Sequence, residues 1–122
     1  MKIYFAAHST TIDNEKGIAS GWKDAELSEL VIEQSKELGE RLKDIPIDLV
    51  CCSDFKRAHD TIKIAFDDKF PILVDKRLRE INYGDFNGTP AVDWKKKDYI
   101  DKSFPNGESY KEAMERVQDF YK

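Results

Sequence analysis

Two side chains able to do phosphorus chemistry stand just beyond short apolar runs. His8 follows Lys2-Ile3-Tyr4-Phe5-Ala6, and Arg57 lies one turn after Asp48-Leu49-Val50-Cys51-Cys52. A neutral imidazole carries a nitrogen lone pair that can attack phosphorus. A guanidinium stays charged and offers a planar fork of donors that matches phosphate oxygens. If both apolar runs are strands of one open α/β sheet, the two residues converge beyond the strands' carboxyl ends, where such sheets collect ligands. A nucleophile or base beside a fixed cation suggests phosphoryl transfer through a phosphohistidine.

The elements needed to hold them there can be read from the periodicity. Residues 2–6 are short, apolar and partly β-branched or aromatic, which predicts a buried strand ending at His8. The following stretch to Ala25 carries Gly17, Gly21 and many small polar residues, which predicts a long loop of the kind that carries function. Leu30, Val31, Leu38 and Leu42 share one face of an amphipathic helix over 28–43, and Pro46 marks its exit. Residues 48–52 read as a second buried strand. A second helix is predicted within 55–66, with Phe55, Ala58, Ile62, Ala65 and Phe66 as its apolar face and Ser53 or Asp54 as N-cap. Residues 71–74 make a third strand, and 77–90 a loop-rich region. A last helix follows Asn106-Gly107, where Tyr110, Ala113, Met114, Val117, Phe120 and Tyr121 recur at helical spacing. Strand, helix, strand, helix, strand is the order of a parallel, right-handed α/β sheet flanked by helices.

Composition narrows the function classes. A chain of 122 residues suits a single domain with one core. With 24 acidic against 20 basic residues, a net charge of −4 and the signs interspersed, no basic stripe invites nucleic acid. The N-terminal apolar run is too short for a signal core or a membrane span. Cys51 and Cys52 are adjacent, without the geometry of a bridge or the spacing of a zinc site, and read as reduced core residues of a cytoplasmic protein.

A set of motifs now comes into view. Ala7-His8-Ser9-Thr10-Thr11-Ile12-Asp13-Asn14 resembles the Arg-His-Gly-x-Thr-x-x-Asn opening of the histidine phosphatase superfamily, the phosphoglycerate-mutase-like proteins. Gly21 to Ser28 resembles its Gly-x-x-Asp-x-x-Leu-Thr element, and Ser53 to Thr61 its Ser-x-x-x-Arg-Ala-x-x-Thr element. Leu78 to Gly88 is similar to Leu-Arg-Glu-x-x-x-Gly-x-x-x-Gly, and Gly107-Glu108-Ser109 to the Gly-Glu-Ser that precedes a helix. Each alone is weak; their common order over nearly the whole chain is specific.

The resemblance implies a three-layer α/β sandwich, incomplete or rearranged here, and a metal-free reaction without cofactor on a small phosphorylated metabolite. His8 would accept the phosphoryl group, Arg57 would clamp it, Glu80 would protonate the leaving oxygen, and Asn14 would add a polar contact. The plainer alternatives are a surface ion pair for Arg57 and a solvated charge for Glu80. This sequence also departs from the pattern. Ala7 stands where the pattern has arginine, and Ser9 where it has glycine. The only histidines are His8 and His59, and His59 occupies a variable position, so the family's second histidine and the strand bearing it are missing from these residues. In the family that strand lies between the first two. Direct pairing of residues 2–6 with 48–52, or filling of the vacancy by a partner in a homodimer, is therefore expected. Two functional readings stay open: a phosphatase, less readily a mutase, and a catalytically impaired phosphate-binding or regulatory domain of the same fold.

Overall fold

The computed structural model describes residues 2–29, 31–67 and 69–121; Leu30, assigned above to the first helix's apolar face, lies outside the described residues. The regular elements are α1 (Ile12–Glu15), β1 (Ile18–Ala19), α2 (Val31–Leu42), β2 (Val50–Cys52), α3 (Lys56–Phe66), β3 (Ile72–Val74), β4 (Thr89–Pro90) and α4 (Tyr110–Phe120), with short 3₁₀ turns between β3 and α4.

β2 and β3 pair in parallel, with Cys51 opposite Leu73, as a strand–helix–strand crossover through α3 requires. Alternation along β2 turns Val50 and Cys52 toward one face. There they meet Ile62, Phe66, Ala58 and Ala65 of α3 and Leu42 of α2, forming the first core. The two helices pack closely enough that a Cβ at Gly39 would lie 2.0 Å from the Ala65 carbonyl, so this crossing needs glycine for space. The opposite face of the sheet, with Leu49, Cys51 and Leu73, is exposed.

Residues 2–6 correct the sequence reading. They form no strand, and Ile3, Tyr4 and Phe5 are 48, 52 and 79% exposed. The ladder of β2 runs to β3, and no pairing joins it to residues 2–6 among the described residues. A strand is stabilised by the neighbour that satisfies its N–H and C=O groups, and apolar alternation cannot supply one.

A second core gathers aromatic side chains from the loop-rich half. Ile81, Tyr83 and Phe104 are buried, with Phe86, Trp94, Tyr99 and Tyr110 against them. Tyr99 stacks on Phe104 at 3.9 Å, and Tyr83 meets Phe104 edge-on at 5.2 Å. Antiparallel β1 and β4 fasten the 17–23 loop to this unit. Gly84 is indispensable here: at φ +57°, a Cβ would lie 1.9 Å from the Pro105 carbonyl oxygen. Ser109 and Glu112 form a reciprocal capping box that starts α4.

Candidate active site

His8 ends the extended N-terminal segment, half-buried, and the chain beside it is firmly tied. The Ser9 amide donates to Thr61 Oγ1 at 3.0 Å, and Thr61 Oγ1 donates to the Arg57 carbonyl at 2.8 Å, so the backbone at His8 is lashed to α3 one turn beyond Arg57. The Ser9 hydroxyl packs against Ser35 Oγ of α2 at 2.5 Å. The side chain that replaces the expected glycine is thus absorbed in the interior. His8 Nδ1 lies 2.6 Å from the Ser9 carbonyl oxygen. A carbonyl only accepts, so this contact places the proton on Nδ1 and leaves the Nε2 lone pair available. His8, Ala7 and Ser9 open into a groove of about 550 Å³ whose other wall is α2, with Gln34, Leu38 and Arg41.

Arg57 is the most buried charged side chain among the candidates, at 3% exposure. Nη2 donates to the Gly21 carbonyl at 2.6 Å and Nη1 to the Lys23 carbonyl at 3.1 Å. Asp24 Oδ1 lies 3.7 Å away, and the Phe55 ring lies beneath the guanidinium at 4.7 Å. Burial pulls its pKa down, opposed by the charges of Asp24, Glu80 and Asp13. It is therefore no loose surface pair but a fixed cation, with donors remaining beyond those two carbonyls. Its helix begins without a local side-chain cap: Phe55 is the N-cap residue, and neither Ser53 nor Asp54 caps α3. Asp24 substitutes from the distant loop, accepting from the Lys56 amide at 2.5 Å and the Arg57 amide at 3.5 Å.

Glu80 is exposed, close enough for its charge to act on Arg57, Tyr83 and Tyr110. Burial pushes the Tyr83 hydroxyl well above its ordinary range, and the Glu80 charge adds to that. The structure therefore brings Arg57 and Glu80 into one electrostatic neighbourhood and links His8 to Arg57 through Ser9 and Thr61. Arg57, Glu80 and Asn14 do not line the groove at His8. Asn14 is exposed and commits Oδ1 to the Thr11 amide at 3.0 Å, closing the capping box of α1; its amide nitrogen is the part left for a ligand.

Sequence reasoning missed several residues that shape this region. Asp13 accepts from Ser20 Oγ at 2.8 Å and adds charge near Arg57. Asp24 caps α3, and Trp22, Arg79, Glu108 and Arg116 hold the segment carrying Glu80. Their motif neighbours marked the positions of Asp24 and Glu108, but not what they touch. No cluster of three metal-ligating side chains occurs among the described residues, and no helix is long and apolar enough to cross a membrane.

Comparison with known proteins agrees with this architecture. A sequence profile described as the histidine phosphatase superfamily (branch 1) matches residues 3–122. A probable phosphatase of Schizosaccharomyces pombe is 32% identical over 99% of this chain and 59% of its own length. A phosphoglycerate mutase of the same organism is 33% identical over 94% of this chain and 62% of its own. The crystal structure of the alpha-ribazole phosphatase from Shigella flexneri superposes with a TM-score of 0.80 at 28% identity, covering 93% of this chain and 62% of that one. The chain thus spans about three-fifths of the length of the relatives it matches.

Proposed function

The chain belongs to the histidine phosphatase superfamily, and from that premise we propose that it is a phosphomonoester phosphatase acting on a small phosphorylated metabolite through phospho-His8. The observation that carries this reading is the Nδ1 contact of His8 with the Ser9 carbonyl, which leaves Nε2 as the nucleophile. In the first step Nε2 bonds to phosphorus while the ester P–O bond breaks. Glu80 gives a proton to the departing oxygen, and Arg57 balances charge on the phosphoryl oxygens. Asn14 contributes a polar contact through its amide. In the second step water attacks phosphohistidine, its proton passes to the Glu80 carboxylate, and inorganic phosphate leaves with Nε2 restored. This scheme uses neither metal nor cofactor.

The relatives include both a probable phosphatase and a phosphoglycerate mutase, and the scheme above, with water as second acceptor, follows the first. The reading is tested by acid-sensitive labelling. After brief incubation with a phosphomonoester, intact mass should show one added phosphoryl group, stable to alkali and lost in His8→Ala. A label that persists in His8→Ala would sink the proposal.

A second reading is favoured by a specific observation: Ala7 beside His8 supplies no cation. On that view the chain retains an anion pocket and has lost turnover. Phosphate binding that depends on Arg57, without any label on His8, would select it. Two free cysteines suit a cytoplasmic setting, and the bare apolar sheet face suits a homodimer. Sedimentation velocity giving only monomer across micromolar concentrations would remove the dimer.

A further inference from the structure

The segment bearing Glu80 is held by side chains to which no role has been given. The carbonyl oxygen of Glu80 accepts from two directions: Trp22 Nε1 at 2.8 Å and Arg116 Nη2 at 2.9 Å. Arg116 also donates through Nη1 to the carbonyls of Arg77 at 2.9 Å and Arg79 at 2.8 Å. Its remaining donors meet Glu108, with Nε at 2.8 Å from Oε2 and Nη2 at 2.8 Å from Oε1. Glu108 Oε1 in turn accepts from the Asn82 amide at 2.9 Å. Arg79 makes a two-point pair with Asp54 at 2.6 Å, and its guanidinium lies 4.8 Å from both the Trp22 and Phe55 rings. Phe55 is the ring on whose other partner, Arg57, the phosphate clamp is built.

The backbone around Glu80 is thereby pinned at residues 77, 79, 80 and 82, while the Glu80 carboxylate lies beside the Tyr83 hydroxyl and is exposed to solvent. A guanidinium shared among main-chain carbonyls is by itself an ordinary fold staple. What distinguishes this one is convergence: α4 and the 20–24 loop, distant in sequence, both deliver their donor to the single carbonyl of the acid-bearing residue. The neighbouring Arg79 stack ties the same segment to Phe55 and so to Arg57.

We propose that Arg116 and Trp22 are positioning residues that set the Glu80 carboxyl group relative to the phosphoryl group held by Arg57. This rests on the reading of Glu80 as general acid. Proton donation requires a heavy-atom approach within hydrogen-bond reach, and a displacement of about 1 Å can cost ~100-fold in rate. Neither residue touches substrate in this scheme; each acts through the main chain of Glu80.

Leaving-group dependence isolates the effect. An alkyl phosphate such as glycerol phosphate releases a basic alkoxide that needs the acid, whereas 4-nitrophenyl phosphate releases a stable phenolate that does not. In the full protein, Arg116→Met should lower kcat/KM, which reports the steps up to leaving-group departure, on glycerol phosphate by ~10–100-fold, and Trp22→Phe by ~10-fold, with kcat/KM on 4-nitrophenyl phosphate changed less than ~3-fold. Arg116→Lys, which cannot span the same carbonyls, should fall between wild type and Arg116→Met. Glu80→Gln should show the same substrate pattern, more strongly. Trp22 is 37% exposed, so Trp22→Phe keeps the test available if Arg116→Met does not fold. Equal losses on both substrates, or no loss on either, would overturn the positioning role while leaving the phosphatase reading intact. A wild-type protein that turns over neither substrate, or a Glu80→Gln without substrate preference, would instead remove the underlying reading and this role with it.

Discussion

Replacing Asp24 tests whether the Arg57 helix depends on a cap from outside its own sequence. In Asp24→Ala the amides of Lys56 and Arg57 lose their acceptor, and the buried Arg57 loses its carboxylate at 3.7 Å. Losing an N-cap costs ~0.5–2 kcal/mol. The ion pair adds less than ~1 kcal/mol, because Asp24 is 35% exposed and screened by water. Together these predict ~0.5–3 kcal/mol of destabilisation for Asp24→Ala. Asp24→Asn keeps an acceptor oxygen and removes only the charge, so it should cost under ~1 kcal/mol. For a chain between 100 and 150 residues, each kcal/mol lowers Tm by roughly 3–6 °C. Urea unfolding of the three proteins under identical conditions gives both differences. If Asp24→Asn is as damaging as Asp24→Ala, the charge on Arg57 dominates and the capping account is wrong. If neither differs from wild type, α3 does not rely on this contact.

Acid should expose a carboxylate contribution. Arg77 holds Asp75 down to about 2, and Arg79 lowers Asp54 through their hydrogen bond. A folded pKa below the unfolded ~3.9 means that this stability is present above pH ~4 and is lost as pH falls toward 2. Urea midpoints should therefore fall between pH 4 and 2, and less steeply in Asp75→Asn; an unchanged slope in that variant would contradict the pairing. Gly84→Ala meets both a left-handed φ and the Pro105 carbonyl at 1.9 Å, whereas Gly17→Ala meets only φ +71° in open space. The first should destabilise by ~3 kcal/mol or more and the second by ~1–2 kcal/mol, and equal melting temperatures would show that the loop at Gly84 yields freely.

Helix periodicity was legible because it is local. Val31, Leu38 and Leu42, and then Ala58, Ile62 and Phe66, fall on faces that any α-helix of these residues must present, and α2 and α3 formed where spacing placed them. The ordered motifs likewise identified the family and singled out His8, Arg57 and Glu80, since residue type and order need no coordinates. Strand formation was not legible to the same degree. Residues 2–6 have a strand's composition, yet β2 pairs with β3, and a strand exists only where another backbone meets it. The same non-locality hid Asp24 as the cap of α3, the Nδ1 contact that sets the His8 tautomer, and the convergence of Trp22 and Arg116 on one carbonyl. Side-chain chemistry and helical period belong to the chain itself. Ladder partners and hydrogen bonds between distant residues belong to the fold, because each requires two segments to arrive at one place with opposite needs.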